Sequence, residues 1–172
     1  RNHKEIDRDA RRLAKLAHEI RSDKTTTPDG DISLRLIGSD FASEADYAAK
    51  ALTNGNRAYA RVILNSMSTY CVACHTRNGS GPQFPGLQTN PEIAKLAPFA
   101  RGNYFIATRN FDAALQEFQS ISTQPEKAGT NLFEYERAVR SGLSVAVRVK
   151  RDPDLAMKLV ESIAGNAKVP YF

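Results

Sequence analysis

The sequence predicts an all-α protein, and three observations carry that expectation. Apolar residues recur at three- and four-residue spacing along most of the 172 positions. Clusters of Gly, Pro, Asn and Thr interrupt the pattern at about helix-length intervals, and no second alternating segment offers itself as a partner strand. A hydrophobic fraction of 41% suffices for a packed core. With 25% charged residues and no apolar run near about eighteen residues, neither a membrane-spanning helix nor a retained signal peptide is expected. Lys and Arg number 24 against 19 Asp and Glu, and this small surplus runs through both halves, so no segment demands nucleic acid.

Residues 3 to 22 place Ile6, Ala10, Leu13, Leu16, Ala17 and Ile20 on one face of a first helix. Thr25-Thr26-Thr27-Pro28-Asp29-Gly30 ends it, because Pro and Gly cannot continue the ladder and hydroxyls compete for backbone groups. Ile32, Leu34 and Leu36 alternate, which without a partner strand predicts a loop or a short helix. Ser39-Asp40 is the N-cap candidate for a helix through Phe41, Ala45, Ala48 and Leu52, closed at Asn54-Gly55-Asn56. A third helix is expected from about Arg57 through Tyr59, Val62, Ile63, Met67, Tyr70 and Cys74 on one face. Thr76 to Pro82 is a loop by composition.

From about Pro91 the pattern shortens to paired helices. Gly102, Phe105, Phe111, Ala114, Phe118 and Pro125 resemble the spacing of a tetratricopeptide repeat, in which small residues let two helices approach and aromatics fill the space between. A weaker echo lies at Ser144, Val147, Ala156, Val160 and Ile163, with Ala114 and Ala156 42 positions apart instead of the usual 34 or so. Plain antiparallel hairpins are the alternative. The expected organisation is a helical region over residues 1–90 and two repeat-like helical hairpins over 91–172, which lean on the first region because a free-standing solenoid needs about three units.

Both cysteines fall in one stretch, Cys71-Val72-Ala73-Cys74-His75, so no disulfide can staple distant parts of the chain. The stretch is the c-type haem attachment pattern: two thiols one helical turn apart for the two vinyl groups, then a histidine for the iron. A thioredoxin-like dithiol would follow a strand, whereas Cys71 follows helical periodicity; a zinc site would want a second ligand pair, which His3 and His18 do not supply.

The segment from Ala51 to Asn56 and on through Tyr70-Cys71-Val72-Ala73-Cys74-His75-Thr76-Arg77 resembles the closing portion of the cytochrome c prime and cytochrome c556 group. That resemblance implies a haem-binding helical bundle whose first helix lies over the distal face. A second resemblance, to class I cytochromes c, rests on Gly81-Pro82 followed by Gly86-Leu87, and implies that the Pro82 carbonyl accepts a hydrogen bond from the proximal His75. Tyr70 and Phe84 are expected at the haem edge or in ordinary core.

Function then turns on the sixth iron position. His18 is the first candidate, Met157 the second and the terminal His3 the third, with an open site as the alternative. Met67 shares a helix with His75 and is expected in the core. The run Arg148-Val149-Lys150-Arg151, with Arg137 and Arg140 upstream, suits an acidic partner or a solvated helix end. With no acid-base pair or nucleophile constellation, no enzyme is expected. The sequence predicts a soluble, exported single-haem cytochrome of the periplasm or cell exterior that passes electrons between redox partners, within a larger electron-transfer complex or outside one, with a five-coordinate gas-binding or redox-sensing module as the alternative.

Overall fold

The computed structural model describes residues 3–77, 81–82 and 84–164, and all the regular structure among them is helical. The loop expected over 76–82 lies partly outside the described residues, as do both ends of the two expected regions; Thr76 and Arg77 themselves are helical. By backbone contacts the chain forms two compact units, Arg1–Cys74 and His75–Phe172.

In the first unit α1 spans His3–Ser22 and α2 spans Ile32–Thr53. Between them Asp23 accepts hydrogen bonds from the Thr25 amide at 2.9 Å and from the Thr25 and Thr26 hydroxyls at 2.8 Å, an Asx-type turn that stops α1. The start of α2 corrects the expectation at Ile32–Leu36. Asp31 caps the helix by accepting from the Leu34 amide at 3.0 Å, so the alternating trio is the first two turns of α2 and Ser39-Asp40 is interior. Ile32 and Leu36 are exposed, which is why their spacing gave no helical stripe.

The seam between α1 and α2 is made of alanine. Ala14 and Ala17 meet Ala42, Ala45 and Ala48, with Ile63 and Met67 closing the cluster, while Ala10, Ala51, Leu52 and Ala60 form its continuation. Leu16 and Ile20, expected inside, lie on its exposed flank because the methyl-lined face is narrower than the sequence stripe. Next come α3, Arg57–Ser66, and α4, Ser68–Arg77. The single helix expected here is broken at Met67, where hydroxyls take backbone carbonyls: Ser66 Oγ donates to Ile63 O at 2.8 Å and Thr69 Oγ1 to Ser66 O at 2.8 Å. The expected face is also corrected. Tyr59 and Val62 are exposed, and Ala60, Ile63 and Met67 are buried.

The second unit holds α5 (Pro85–Gln88), a tight 3₁₀ turn at Pro91–Lys95, α6 (Pro98–Ala107), α7 (Phe111–Ser122), α8 (Pro125–Thr130), α9 (Leu132–Ser144) and α10 (Pro153–Ala164). Proline opens five of these segments, since its missing N–H falls where a helix start has no acceptor to offer. A widened helical stretch, Val145–Lys150, continues α9. α6 and α7 approach closely at Gly102, as expected, where an added Cβ would lie 2.6 Å from Phe118 Cε1, and Ala114 is fully buried. Arg101 clamps the pair through a fork to Glu117, Nε–Oε1 2.6 Å and Nη2–Oε2 2.7 Å. Tyr135 of α9 is buried and donates its hydroxyl to Ser122 O at 3.0 Å.

One turn recurs along the chain. At the end of α2 the amides of Gly55 and Asn56 bond back to Leu52 O and Ala51 O; at the end of α6 those of Arg109 and Asn110 bond back to Ile106 O and Phe105 O. Both are Schellman closures with a left-handed residue, Gly55 at φ +76° and Arg109 at φ +58°. Each Asn then caps the following helix, Asn56 accepting from Tyr59 N and Asn110 from Ala113 N. A related stop occurs at Arg151, φ +52°, followed by Asp152 accepting from Leu155 N at 2.9 Å. Arg109 and Arg151 are 42 positions apart, the same interval as Ala114 and Ala156.

Candidate functional site

The break at Met67 makes α4 a separate ten-residue helix that carries Tyr70, Cys71, Cys74 and His75. Cys71 and Cys74 are one turn apart and His75 follows directly, four positions after Cys71, so the three side chains occupy adjoining positions on the helix surface. Both cysteines are half-buried thiols, with no disulfide between them. Burial pushes the Cys71 thiol above its ordinary value, which keeps it as S–H at neutral pH.

His75 is fixed by a backbone group. Its Nδ1 lies 3.1 Å from the carbonyl oxygen of Ile106, near the C-terminal end of α6. A carbonyl can only accept, so Nδ1 carries the proton and Nε2 carries the lone pair. Burial, and then the positive charge of Arg109, hold the imidazole below its ordinary value, while the Ile106 bond acts in the opposite sense. The ring is therefore neutral at pH 7 and its tautomer is defined. The partner differs from the one the class I resemblance implied: the carbonyl that accepts from His75 is that of Ile106, and Pro82 is exposed. An α6 carbonyl fits this task because the last turn of a helix leaves its carbonyls short of donors.

The same end of α6 gathers Gly81, Leu87 and Gln88. Tyr104 donates its hydroxyl to Leu87 O at 2.9 Å, and Gln88 donates Nε2 to Thr108 O at 3.0 Å, which ties α5 to α6. The guanidinium of Arg109 lies against Gly81, whose φ of +150° suits glycine and whose missing Cβ would meet Arg109 Cζ at 2.6 Å. Phe84 is at the margin of exposure, and its carbonyl accepts from the Leu87 amide at 3.0 Å to start α5.

The other expected residues are placed as follows. His18 Nε2 is 2.8 Å from Asp46 Oδ2 on α2, with 40% and 53% of the two side chains exposed. His3 opens α1 and is exposed. Met157 lies on α10 with 56% of its surface exposed, and Met67 is in the alanine core as expected. Tyr70 packs on Phe41 with ring centroids 5.7 Å apart; burial raises its phenol, helped by Glu44 and Asp40. Lys150 of the basic run is 2.5 Å from Asp112. Sequence reasoning missed Ile106, Gln88 and Arg109. The first acts through a backbone group without a side-chain signature, but Arg109-Asn110 repeats the placing of Gly55-Asn56, and that parallel was available as a signal.

Among the described residues no group of three or more His, Cys, Asp or Glu gathers as ligands for a bare metal ion, and no helix is long and apolar enough to cross a membrane. No family model, curated protein or solved structure matches the chain.

Proposed function

We propose that this chain is a single-haem c-type cytochrome, exported to the periplasm or cell exterior, that carries one electron at a time between redox proteins. The observation that carries the reading is the donor set of α4: two thiols one turn apart, then an imidazole whose Nδ1–H is committed to Ile106 O, leaving Nε2 as a neutral donor. Attachment balances without an oxidant, since each S–H adds across a vinyl C=C, sulfur bonding one carbon and hydrogen the other. Haem supplies the one-electron iron couple when bound. The protein's part is to present the two thiols one turn apart, to orient His75 and to offer a docking surface; Tyr70, Pro82 and Phe84 are the side chains proposed to line the group.

The test is the mass of the denatured protein after production alongside a haem-attachment system. A gain of one haem, lost in a Cys71→Ala/Cys74→Ala variant, supports the reading, and the apoprotein mass overturns it. His75→Ala should leave the haem attached but poorly ligated, visible as a changed spectrum.

The second reading, a five-coordinate gas-binding or redox-sensing module, is favoured by one observation. His18, the first candidate for the sixth position, already holds Asp46 through Nε2. A low-spin ferric spectrum that His18→Ala converts to high-spin supports electron transfer with His18 as ligand. High-spin iron that takes carbon monoxide at once supports the second reading.

A further inference from the structure

The connection between α1 and α2 is pinned in place and leaves a cleft beside it. Thr27, buried, shares its hydroxyl between Arg21 O and Asp23 O, each at 3.0 Å. Gly38 of α2 leaves the room this needs: an added Cβ would lie 3.1 Å from Thr27 Cγ2 and 3.7 Å from the Cα of Arg21. The end of α1, the turn and the start of α2 therefore meet in a fixed arrangement, and they enclose a cleft of about 580 Å³, a volume in the range of small-ligand sites. Three cations line it, Arg21 from the last turn of α1, Lys24 from the turn and Arg35 from α2, against one acid, Asp29. Lys24 takes that acid, Nζ to Oδ2 at 2.8 Å, whereas the Arg35 guanidinium reaches only the Asp29 carbonyl at 3.5 Å, and Arg21 pairs with no carboxylate among the described residues. Two guanidiniums thus line one cleft whose single carboxylate is already engaged. The apolar part of the same lining is Ile32 and Leu36, one turn apart on α2, with 69% and 59% of their surface exposed.

We propose that this cleft binds an amphiphilic anion, with a phosphate or carboxylate head held by Arg21 and Arg35 and an aliphatic chain laid on Ile32 and Leu36. A guanidinium offers paired N–H donors that match such a head, and Lys24, occupied by Asp29, leaves that task to the arginines. Each half of the contact is weak alone. Water and salt screen exposed charge pairs, and two aliphatic side chains cover little area. A ligand that carries both halves gains from both while losing its translational freedom once. This is the chemistry of a fatty acid or a lipid phosphate, free or at a bilayer surface. The site lies wholly within the first unit, contains no residue of the Cys71–His75 motif and does not depend on the cytochrome reading.

The probe is octyl phosphate below its micelle concentration, titrated by calorimetry and by the NMR signals of α1 and α2, with inorganic phosphate as the head alone and octyl glucoside as the tail alone. Octyl phosphate should bind about tenfold tighter than either half and shift the methyl signals of Ile32 and Leu36. The double variant Arg21→Gln/Arg35→Gln should lose about tenfold in that affinity yet melt at the wild-type temperature, since both side chains are exposed. Leu36→Ser should bring octyl phosphate down toward inorganic phosphate. Octyl phosphate binding no tighter than inorganic phosphate, or equally well to the double variant, overturns the proposal. Where octyl phosphate does bind, vesicles separate the two sources. Cosedimentation with phosphatidylcholine vesicles that contain phosphatidylglycerol, lost without that lipid and lost in the double variant, assigns the site to a bilayer surface; no cosedimentation assigns it to a free amphiphile.

Discussion

The two units build their cores from different side chains. Between α1 and α2 the contact is methyl on methyl, Ala14 and Ala17 against Ala42, Ala45 and Ala48, whereas around α7 it is ring on glycine and ring on ring, Phe118 against Gly102 and Phe99 at a centroid distance of 6.1 Å. Alanine has no rotamers to lose and lets helix axes come close, but each one removes little apolar surface from water. The aromatic core has the reverse balance: large area per residue, and a packing that depends on a few shapes. The first unit should therefore suffer chiefly from additions, and the second chiefly from deletion of its rings.

The largest effect is expected where one ring does the most. Phe118→Ala removes a side chain that is 1% exposed and should cost about 3–5 kcal/mol in denaturant unfolding, with the cavity left open under Gly102. Ala45→Leu, at a fully buried seam position, should cost about 1–3 kcal/mol by forcing α1 and α2 apart. If Ala45→Leu is neutral, the seam is looser than the contrast requires. Capping sharpens the comparison further, because the two units share one turn design. Asn56→Ala and Asn110→Ala should each lose about 1 kcal/mol, and unequal losses would show which hairpin relies more on its turn.

The smallest effect is a slope in pH, confined to the second unit and to the haem-free protein. His75 has its value lowered from 6.5, mainly by burial. Just below 6.5 the unfolded chain binds a proton that the folded one refuses, so stability present above 6.5 declines as the pH falls through the folded value. Denaturant midpoints measured across that range should drop for the wild type and drop less for His75→Gln.

The all-helical fold was legible because alanine periodicity in α1 and α2 and the Asn-Gly-Asn stop are local signals. What escaped was also local, but ambiguous. Ile32, Leu34 and Leu36 fit a two-residue period as well as a solvated helix start, and only the Asp31 cap distinguishes them. The break at Met67 was written in Ser66, Ser68 and Thr69, whose hydroxyls bond backwards to carbonyls, yet isolated serines within a helical pattern are common. The cluster on which the proposal rests stands out because Cys71, Cys74 and His75 lie within five residues of sequence. The Ile106 carbonyl does not, since every residue has one and only the tertiary arrangement selects it.

The shortness of the turns bears on the speed at which the chain finds its structure. α2 and α3 are joined through Asn54–Asn56, α6 and α7 through Thr108–Asn110, and α1 with α2 by the Asp23–Asp31 connection, so these helix pairs unite sequence neighbours. Contacts of that kind close small loops and lose little entropy before they form. Refolding from denaturant should accordingly proceed on the microsecond to millisecond scale of helical bundles, and the α1–α2 hairpin, which precedes Cys71 in the chain, needs nothing from the motif to assemble.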